Sequence, residues 1–327
     1  MAKTIAFFVR NVHPQKYPFS VRDIYYRAYQ EYLLEMKRAG AKAFFVTGND
    51  TYLGDGRFSR AWTIDKVSEV ENFEEVGEIK ADLVYNKGGF EGSGVTIVTD
   101  PRLEPVIGNK AVIYEKFSQY QPKSVVCNSA EEVAAAIAAM PGDMVVVKNP
   151  VSSAGRQVYI GKKDELKVPE HETYPLLVQE FLDMSDGAPG LAEGIHDLRI
   201  LLTGSKIIGA TLREPAPGKL HANVSQGGSE RFLRAGDIPA EVRDMAVDID
   251  SQIEDLPRYY AIDFERGKQG WRLMELNARP GLNHSDNVGP IADEMRTSLI
   301  EYLMGLETGP EMALTHGGQH SFNRAGK

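Results

Sequence analysis

The chain has 327 residues, 42% hydrophobic and 25% charged, with 31 glycines and 17 prolines, the composition of an ordinary globular protein with room for two or three packed subdomains. Its formal net charge of −9 argues against generic binding to nucleic-acid backbones, while leaving room for local basic pockets that hold phosphate. A single cysteine, Cys127, excludes an intrachain disulfide framework and fits a reducing compartment.

In chain order, a buried strand is expected at Ile5 to Val9. That run is too short, and too soon followed by Arg10, to be a signal peptide, and no apolar stretch reaches membrane-span length, so a cytoplasmic protein is expected. A helix from Asp23 to Arg38, stopped by Gly40, and strands at Ala43 to Val46 and Ala81 to Tyr85 complete an alternation that predicts a parallel α/β domain over residues 1–105. The glycine-rich loop Asn86 to Gly94 then sits at a carboxyl end of that sheet, where ligands usually bind; a plain surface turn is the other reading.

From Ile107 the texture changes. A helix carrying Lys110 and Lys116 leads to a strand at Val125, in which Cys127 reads as a small core filler, and to an Ala-rich helix from Ala130 to Ala139. Strands follow at Met144 to Lys148, Gln157 to Ile160 and Leu176 to Leu182. Asp197 to Leu202 and Lys206 to Leu212 form a hairpin, and a helix from Ala240 to Ile253 precedes a final hairpin. Subdomain boundaries are expected at 106–175 and 176–308, with an unpatterned tail at 309–327.

The final hairpin carries the strongest chemical signal. Two apolar runs flank Arg266-Gly-Lys-Gln-Gly270. A three-residue loop with Gly270 left-handed sets Asp263 opposite Glu275, and strand alternation puts Asn277 on the face of Glu275. Such an all-oxygen set suits a hard cation such as Mg²⁺, although a solvated hairpin would also present these acids.

Other positions are open to two readings. Lys148 ends a strand before Val151-Ser-Ser-Ala-Gly155, where an ammonium and backbone N–H groups could surround phosphate, or the lysine could merely snorkel from the core. Arg199 and Arg213 lie close on the two arms of their hairpin with Asp197 at its mouth, arranged for an anion or for local ion pairs. His221 to Gly228 is a polar loop able to close over a site.

The order of these features resembles the ATP-grasp superfamily, most of all its bacterial glutathione synthetase and ribosomal-protein glutamate-ligase branch. The match runs from Lys110, Lys148 and Gln179-Glu-Phe-Leu182 through Asp197-Leu-Arg199, Arg213 and Asn223 to Asp263 and Glu275-Leu-Asn277. The resemblance implies an α/β (α+β) fold in which an N-terminal α/β domain precedes two subdomains that grip ATP. It implies phosphate contacts from Lys110, Lys148 and the Gly155 loop, adenine held by Glu180 and the backbone to Leu182, and ribose hydroxyls on Asp197. Asp263, Glu275 and Asn277 would bind Mg²⁺, two ions with Mn²⁺ as a substitute, and Arg199, Arg213 and Asn223 would stabilise the transferred phosphoryl group.

The implied activity is ligation of a carboxylate to an amine through an acyl phosphate, on amino acids or a short peptide. Ring closure within one molecule and glutamate addition to a protein tail use the same chemistry, while a kinase or a non-catalytic nucleotide-binding module are further alternatives. Tyr17, Arg22 and Lys87 are candidate substrate contacts. Small-molecule partners are expected, with neither nucleic acid nor membrane, and a homo-oligomer is left open.

Overall fold

The computed structural model of the chain describes residues 2–10, 23–65, 73–152, 157–169, 171–216, 228–282 and 289–308. These fall into two compact units, Met1–Pro101 with Leu282–Asp286 and Ile300–Lys327, and Arg102–Gly281 with Asn287–Leu299. The expected tail at 309–327 lies outside the described residues. Among the described residues no helix is long and apolar enough to cross a membrane.

The first unit contains β1 (Thr4–Val9), α1 (Asp23–Arg38), β2 (Lys42–Thr47), β3 (Tyr52–Gly54), β4 (Arg57–Thr63), β5 (Glu74–Lys80), β6 (Leu83–Asn86) and β7 (Thr96–Val98). Its sheet runs β3-β4-β2-β1-β6-β7, with β5 also on β4. The apolar strands pair in parallel, β1 with β2 and β6, and β6 with β7. Phe7 packs against Tyr29 and Phe45 while its neighbour Phe8 meets Phe58 and Phe90, as alternation along a strand buried on both faces requires.

A wholly parallel sheet is not what forms. β3, β4 and β5 add an antiparallel ribbon beside β2. No residue of β5 is buried, so it carries no apolar pattern for the sequence to reveal. The glycine-rich loop, in turn, is pinned. Asn86 Oδ1 accepts from the N–H groups of Gly88 and Phe90, and its amide donates to Thr99 O. A Cβ on Gly88 would lie 2.0 Å from Arg10 N, so only glycine fits there.

The second unit holds α2 (Glu104–Ile107), α3 (Lys110–Phe117), β8 (Ser124–Cys127), α4 (Ala130–Ala139), β9 (Met144–Lys148), β10 (Val158–Lys162), β11 (Leu176–Glu180), β12 (Asp197–Thr203), β13 (Lys206–Glu214), β14 (Ser229–Leu233), α5 (Ala240–Ser251), β15 (Tyr259–Gly267) and β16 (Gly270–Asn277). A four-stranded antiparallel sheet runs β10-β9-β11-β8. The boundary expected at residue 175 therefore needs correction, because β11 pairs between β9 and β8 rather than opening the next sheet. Its buried Leu176 and Val178 share a core with Cys127, Val145, Val147 and α4. α4 is capped at its N-terminus: Ser129 Oγ accepts from Glu132 N–H, and the Glu132 carboxylate accepts from Asn128 N–H, one residue before the cap.

The five-stranded antiparallel sheet, β14-β13-β12-β15-β16, has one apolar and one charged face. Leu198, Ile200, Leu202, Ala210, Leu212, Ile262 and Phe264 pack with Val242, Ala246 and Ile249 of α5. Their odd-numbered neighbours Asp197, Arg199, Arg213 and Asp263 lie on the opposite face. On β16 the core positions change parity, from Trp271 and Leu273 to Leu276. A one-residue bulge at Met274 causes the switch, since Phe264 pairs with Leu273 while Asp263 pairs with Glu275.

The expected three-residue turn is likewise a two-residue turn, Lys268-Gln269, closed by the Gly267–Gly270 pair, with Gly270 at φ +98°. Turn and bulge offset one another, so the expected Asp263–Glu275 pairing forms in spite of a different loop. A second bulge, between Leu201 and Leu202 opposite Ile208, sets Arg213 across from Asp197 in the same way.

Candidate active site

The charged face of the large sheet gathers most of the residues singled out from the sequence. Arg199 holds Asp263 with a two-pronged pair, Nε to Oδ1 at 2.7 Å and Nη2 to Oδ2 at 2.5 Å. Arg213 bonds both Asp197 and, at 3.2 Å, Asp263 Oδ2. Glu275 stands opposite Asp263 with Oε1 4.0 Å from Arg199 Nη2 and Oε2 3.2 Å from Lys110 Nζ.

Lys110 is the first residue of α3, whose N-terminus is capped by the Asn109 side chain accepting from the N–H groups of Ala111 and Val112. Its backbone N–H donates to Pro150 O and its ammonium to Ser152 O at 2.6 Å, tying the helix to the loop after β9. At the end of β9, Lys148 is buried and donates to Gln179 Oε1 at 2.9 Å. Gln179 in turn donates to Ser124 Oγ, which donates to Pro122 O. The Lys148 ammonium is therefore aimed by a chain of hydrogen bonds, and it is not a side chain escaping to solvent.

Glu180 closes β11 and gives its N–H to Lys123 O. Two residues on, Leu182 lies against Gly267 of β15 so closely that a Cβ there would be 2.4 Å from Leu182 Cδ1. Asn277 uses Oδ1 to accept the N–H of Arg279, whose guanidinium pairs with Glu104. Gly155 and Asn223, with His221, Tyr17 and Arg22, lie outside the described residues.

One carboxylate of this face was missed. Glu265 projects two residues beyond Asp263 on the same side of β15, part-buried. That spacing from Asp263 was the available signal.

The electrostatics show a site crowded with negative charge. Burial works against an ionised Asp263, but the Arg199 and Arg213 guanidiniums outweigh it and hold its carboxyl below the ordinary value. Burial pushes Asp197 up to about 7; Arg213 opposes the shift and Asp263 adds to it. Glu265 is pushed up to about 8 by burial and then by the like charge of Asp197. Lys148 is lowered to about 8 by burial and by Lys110, against the attraction of Glu275 and Glu265.

Two buried polar atoms, Asp197 Oδ1 and Arg213 Nε, have no hydrogen-bond partner among the described residues. After burial, repulsion from neighbouring carboxylates also raises Asp197 and Glu265, so negative charge is crowded on this face, and Asp197 Oδ1 is an acceptor without a partner among the described residues. A bound divalent cation would offset that charge, so the donor set fits one. Among the described residues no group of three or more His, Cys, Asp and Glu side chains forms a metal cage. The set on offer is two facing carboxylates and one amide, which suits an ion that completes its shell with substrate oxygens and water.

The chain is similar to the probable alpha-L-glutamate ligase 1 of Pseudoalteromonas atlantica, 24% identical over 201 residues, which are 60% of this chain and 62% of that protein. The alignment thus spans less than two thirds of that relative. Among solved structures, the fold is similar to the VanG D-Ala:D-Ser ligase from Enterococcus faecalis, at 14% identity and a TM-score of 0.62 over 93% of this chain and 99% of the other. It is also similar to a Chryseobacterium gregarium RiPP-associated ATP-grasp ligase in complex with ADP and a leader and core peptide, at 13% identity and a TM-score of 0.58 over 94% and 98%. These likenesses show an ATP-grasp fold. The model of the RimK-like ATP-grasp domain matches residues 113–303, more than half of the chain, which therefore belongs to that family.

Proposed function

We propose that the protein is an ATP- and Mg²⁺-dependent ligase that joins a carboxylate to an amine, with amino acids or a short peptide as substrates. The observation that carries this reading is Asp263 facing Glu275 on a charged sheet face, with Arg199 paired to Asp263 and Lys110 to Glu275. Family membership and the likeness to a probable alpha-L-glutamate ligase support the reaction class and make glutamate the first amine to test.

In this reading Asp263, Glu275 and Asn277 hold Mg²⁺, which supplies charge neutralisation to the triphosphate when bound. Lys110 and Lys148 receive phosphate oxygens, with Gly155 in the adjoining loop. Glu180 to Leu182 hold the adenine. Arg199 and Arg213, with Asn223, meet the phosphoryl group in transfer, where charge spreads over three oxygens and positioned cations matter most.

The acid's carboxylate oxygen attacks the γ-phosphorus and ADP leaves. The amine nitrogen then attacks the acyl carbon of the resulting acyl phosphate, and inorganic phosphate leaves with the loss of a proton from nitrogen. No protein nucleophile is needed, and Cys127, buried in β8 with its thiol pushed up by burial, is not one. A cytoplasmic location, small-molecule partners and two Mg²⁺ ions complete the reading.

The test is a phosphate-release assay with ATP and Mg²⁺ across paired amino acids and dipeptides. A ligase releases ADP and phosphate in equal amounts, and a stable amide forms only when acid and amine are both present. A phosphorylated product without the amine would replace this reading with a kinase.

A further inference from the structure

β9 and β10 form an antiparallel hairpin in which Lys148 pairs with Val158. Asn149 and Gln157 face each other one rung further on, where Asn149 N–H donates to Gln157 O at 3.1 Å. The connection between them carries Gly155, which the nucleotide reading gives to phosphate beside Lys148. Its first arm is held from several sides. Asn149 Oδ1 accepts from Val151 N–H, and Asn149 O accepts from the N–H and the hydroxyl of Ser152. Lys110 Nζ then donates to Ser152 O.

The second arm ends at Gln157, and there the backbone is strained. Gln157 sits at φ +53°, a left-handed conformation that a residue with a Cβ keeps where its surroundings impose it. The group that holds it is Glu172, in the connection from β10 to β11. Glu172 Oε2 accepts from the Gln157 side-chain amide at 2.9 Å, and Oε1 accepts from the Tyr159 hydroxyl. Gln157 and Tyr159 are two residues apart, so their side chains leave the chain on one side and a single carboxylate spans both. Glu172 is buried, and among the described residues no cation pairs with it. A buried carboxylate without a countercharge costs stability, and packing alone does not call for one.

We propose that Glu172 is a positioning residue: by fixing Gln157 and Tyr159 it sets the second arm of the connection that meets the nucleotide's phosphates. The inference rests on the nucleotide reading above and deepens it, giving a part in phosphate binding to a side chain outside the charged sheet face. Glu172 acts through the hairpin and not by contact with the nucleotide, so its effect scales with what the hairpin touches. Binding of the base and sugar should be indifferent to it.

The test is calorimetric titration of the full chain, in Mg²⁺, with the non-hydrolysable ATP analogue AMP-PNP and, by displacement, with AMP. Glu172→Ala is expected to weaken AMP-PNP about tenfold while AMP stays within about twofold of wild type. Glu172→Gln can still accept from Gln157 and can donate to the Tyr159 oxygen, so it should restore AMP-PNP affinity to within about threefold. Should Glu172→Ala fail to fold, Tyr159→Phe, which removes one of the two donors and keeps the ring, should weaken AMP-PNP several-fold with AMP unchanged. AMP-PNP affinity that survives these substitutions, or a loss equal for both nucleotides, would overturn the assignment while leaving the nucleotide site standing. Wild-type protein that binds neither nucleotide would overturn the site reading and this inference together.

Discussion

Asp263 and Glu275 face each other across β15 and β16 because Met274 is an extra residue in the second strand. Run back from the Gly267–Gly270 pair without that bulge, the ladder would set Met274 opposite Asp263 and turn Glu275 toward the core. The same device at Ile208 brings Arg213 across from Asp197. Two single-residue irregularities thus decide that acids and arginines share one face, in keeping with the tendency of bulges to sit beside functional sites.

In the proposed reading, Glu275→Gln removes one negative metal ligand while keeping size and one oxygen. Its turnover is expected to fall by about a hundredfold or more, with the fold retained, since Glu275 is only partly buried. Steady-state kinetics with a circular dichroism melt check both halves. Near-normal turnover would remove Glu275 from the metal site.

Arg213→Ala should lower turnover more than it raises KM for ATP, because in the proposed reading the guanidinium meets charge that develops in the transition state. It should also cost about 3 kcal/mol of stability, since Asp197 would be left buried and unpaired. Adding Asp197→Asn should recover part of that stability but not the turnover. Denaturant melts of the single and double variants, read beside kcat, separate the two effects.

The final hairpin was legible in the sequence because its charges alternate with apolar residues, and so was the pairing of its acids. The turn and the bulge were not, since two errors of one residue cancel in the register. The adjacent apolar pairs Leu273-Met274 and Ile207-Ile208 break alternation at both bulges and are the signals that could have located them. Strand β5 was illegible because none of its residues is fully buried and Ile79 alone packs against the core, and the boundary near residue 175 because local pattern does not say which sheet a buried strand joins. Glu265 was legible only through its spacing of two from Asp263, which puts it on the same face of β15.

His196 is fully buried, with Nδ1 on Gly194 O at 2.7 Å, Nε2 accepting from Arg266 N–H at 3.3 Å, and its ring edge-on to Trp271. Burial lowers its pKa below 6.5, aided by Arg266 and opposed by the Gly194 carbonyl and Glu214. As pH falls below about 6.5 the unfolded chain takes up the proton first, so stability present above that value is lost as pH drops toward the folded-state pKa. Chemical denaturation at pH 7.5 and pH 5.5 is expected to show a larger loss for the wild type than for His196→Gln. Equal losses would show that His196 contributes nothing to the acid limb.

The central claim is that Asp263, Glu275 and Asn277 gather the ions that hold a nucleotide's phosphates. Its most direct test is a crystal structure with a non-hydrolysable ATP analogue and Mn²⁺, located by anomalous scattering. Anomalous peaks are predicted within coordination distance of all three side chains, with phosphate oxygens completing the shell. Peaks elsewhere, with Arg199 and Arg213 still closed on Asp263, would contradict it.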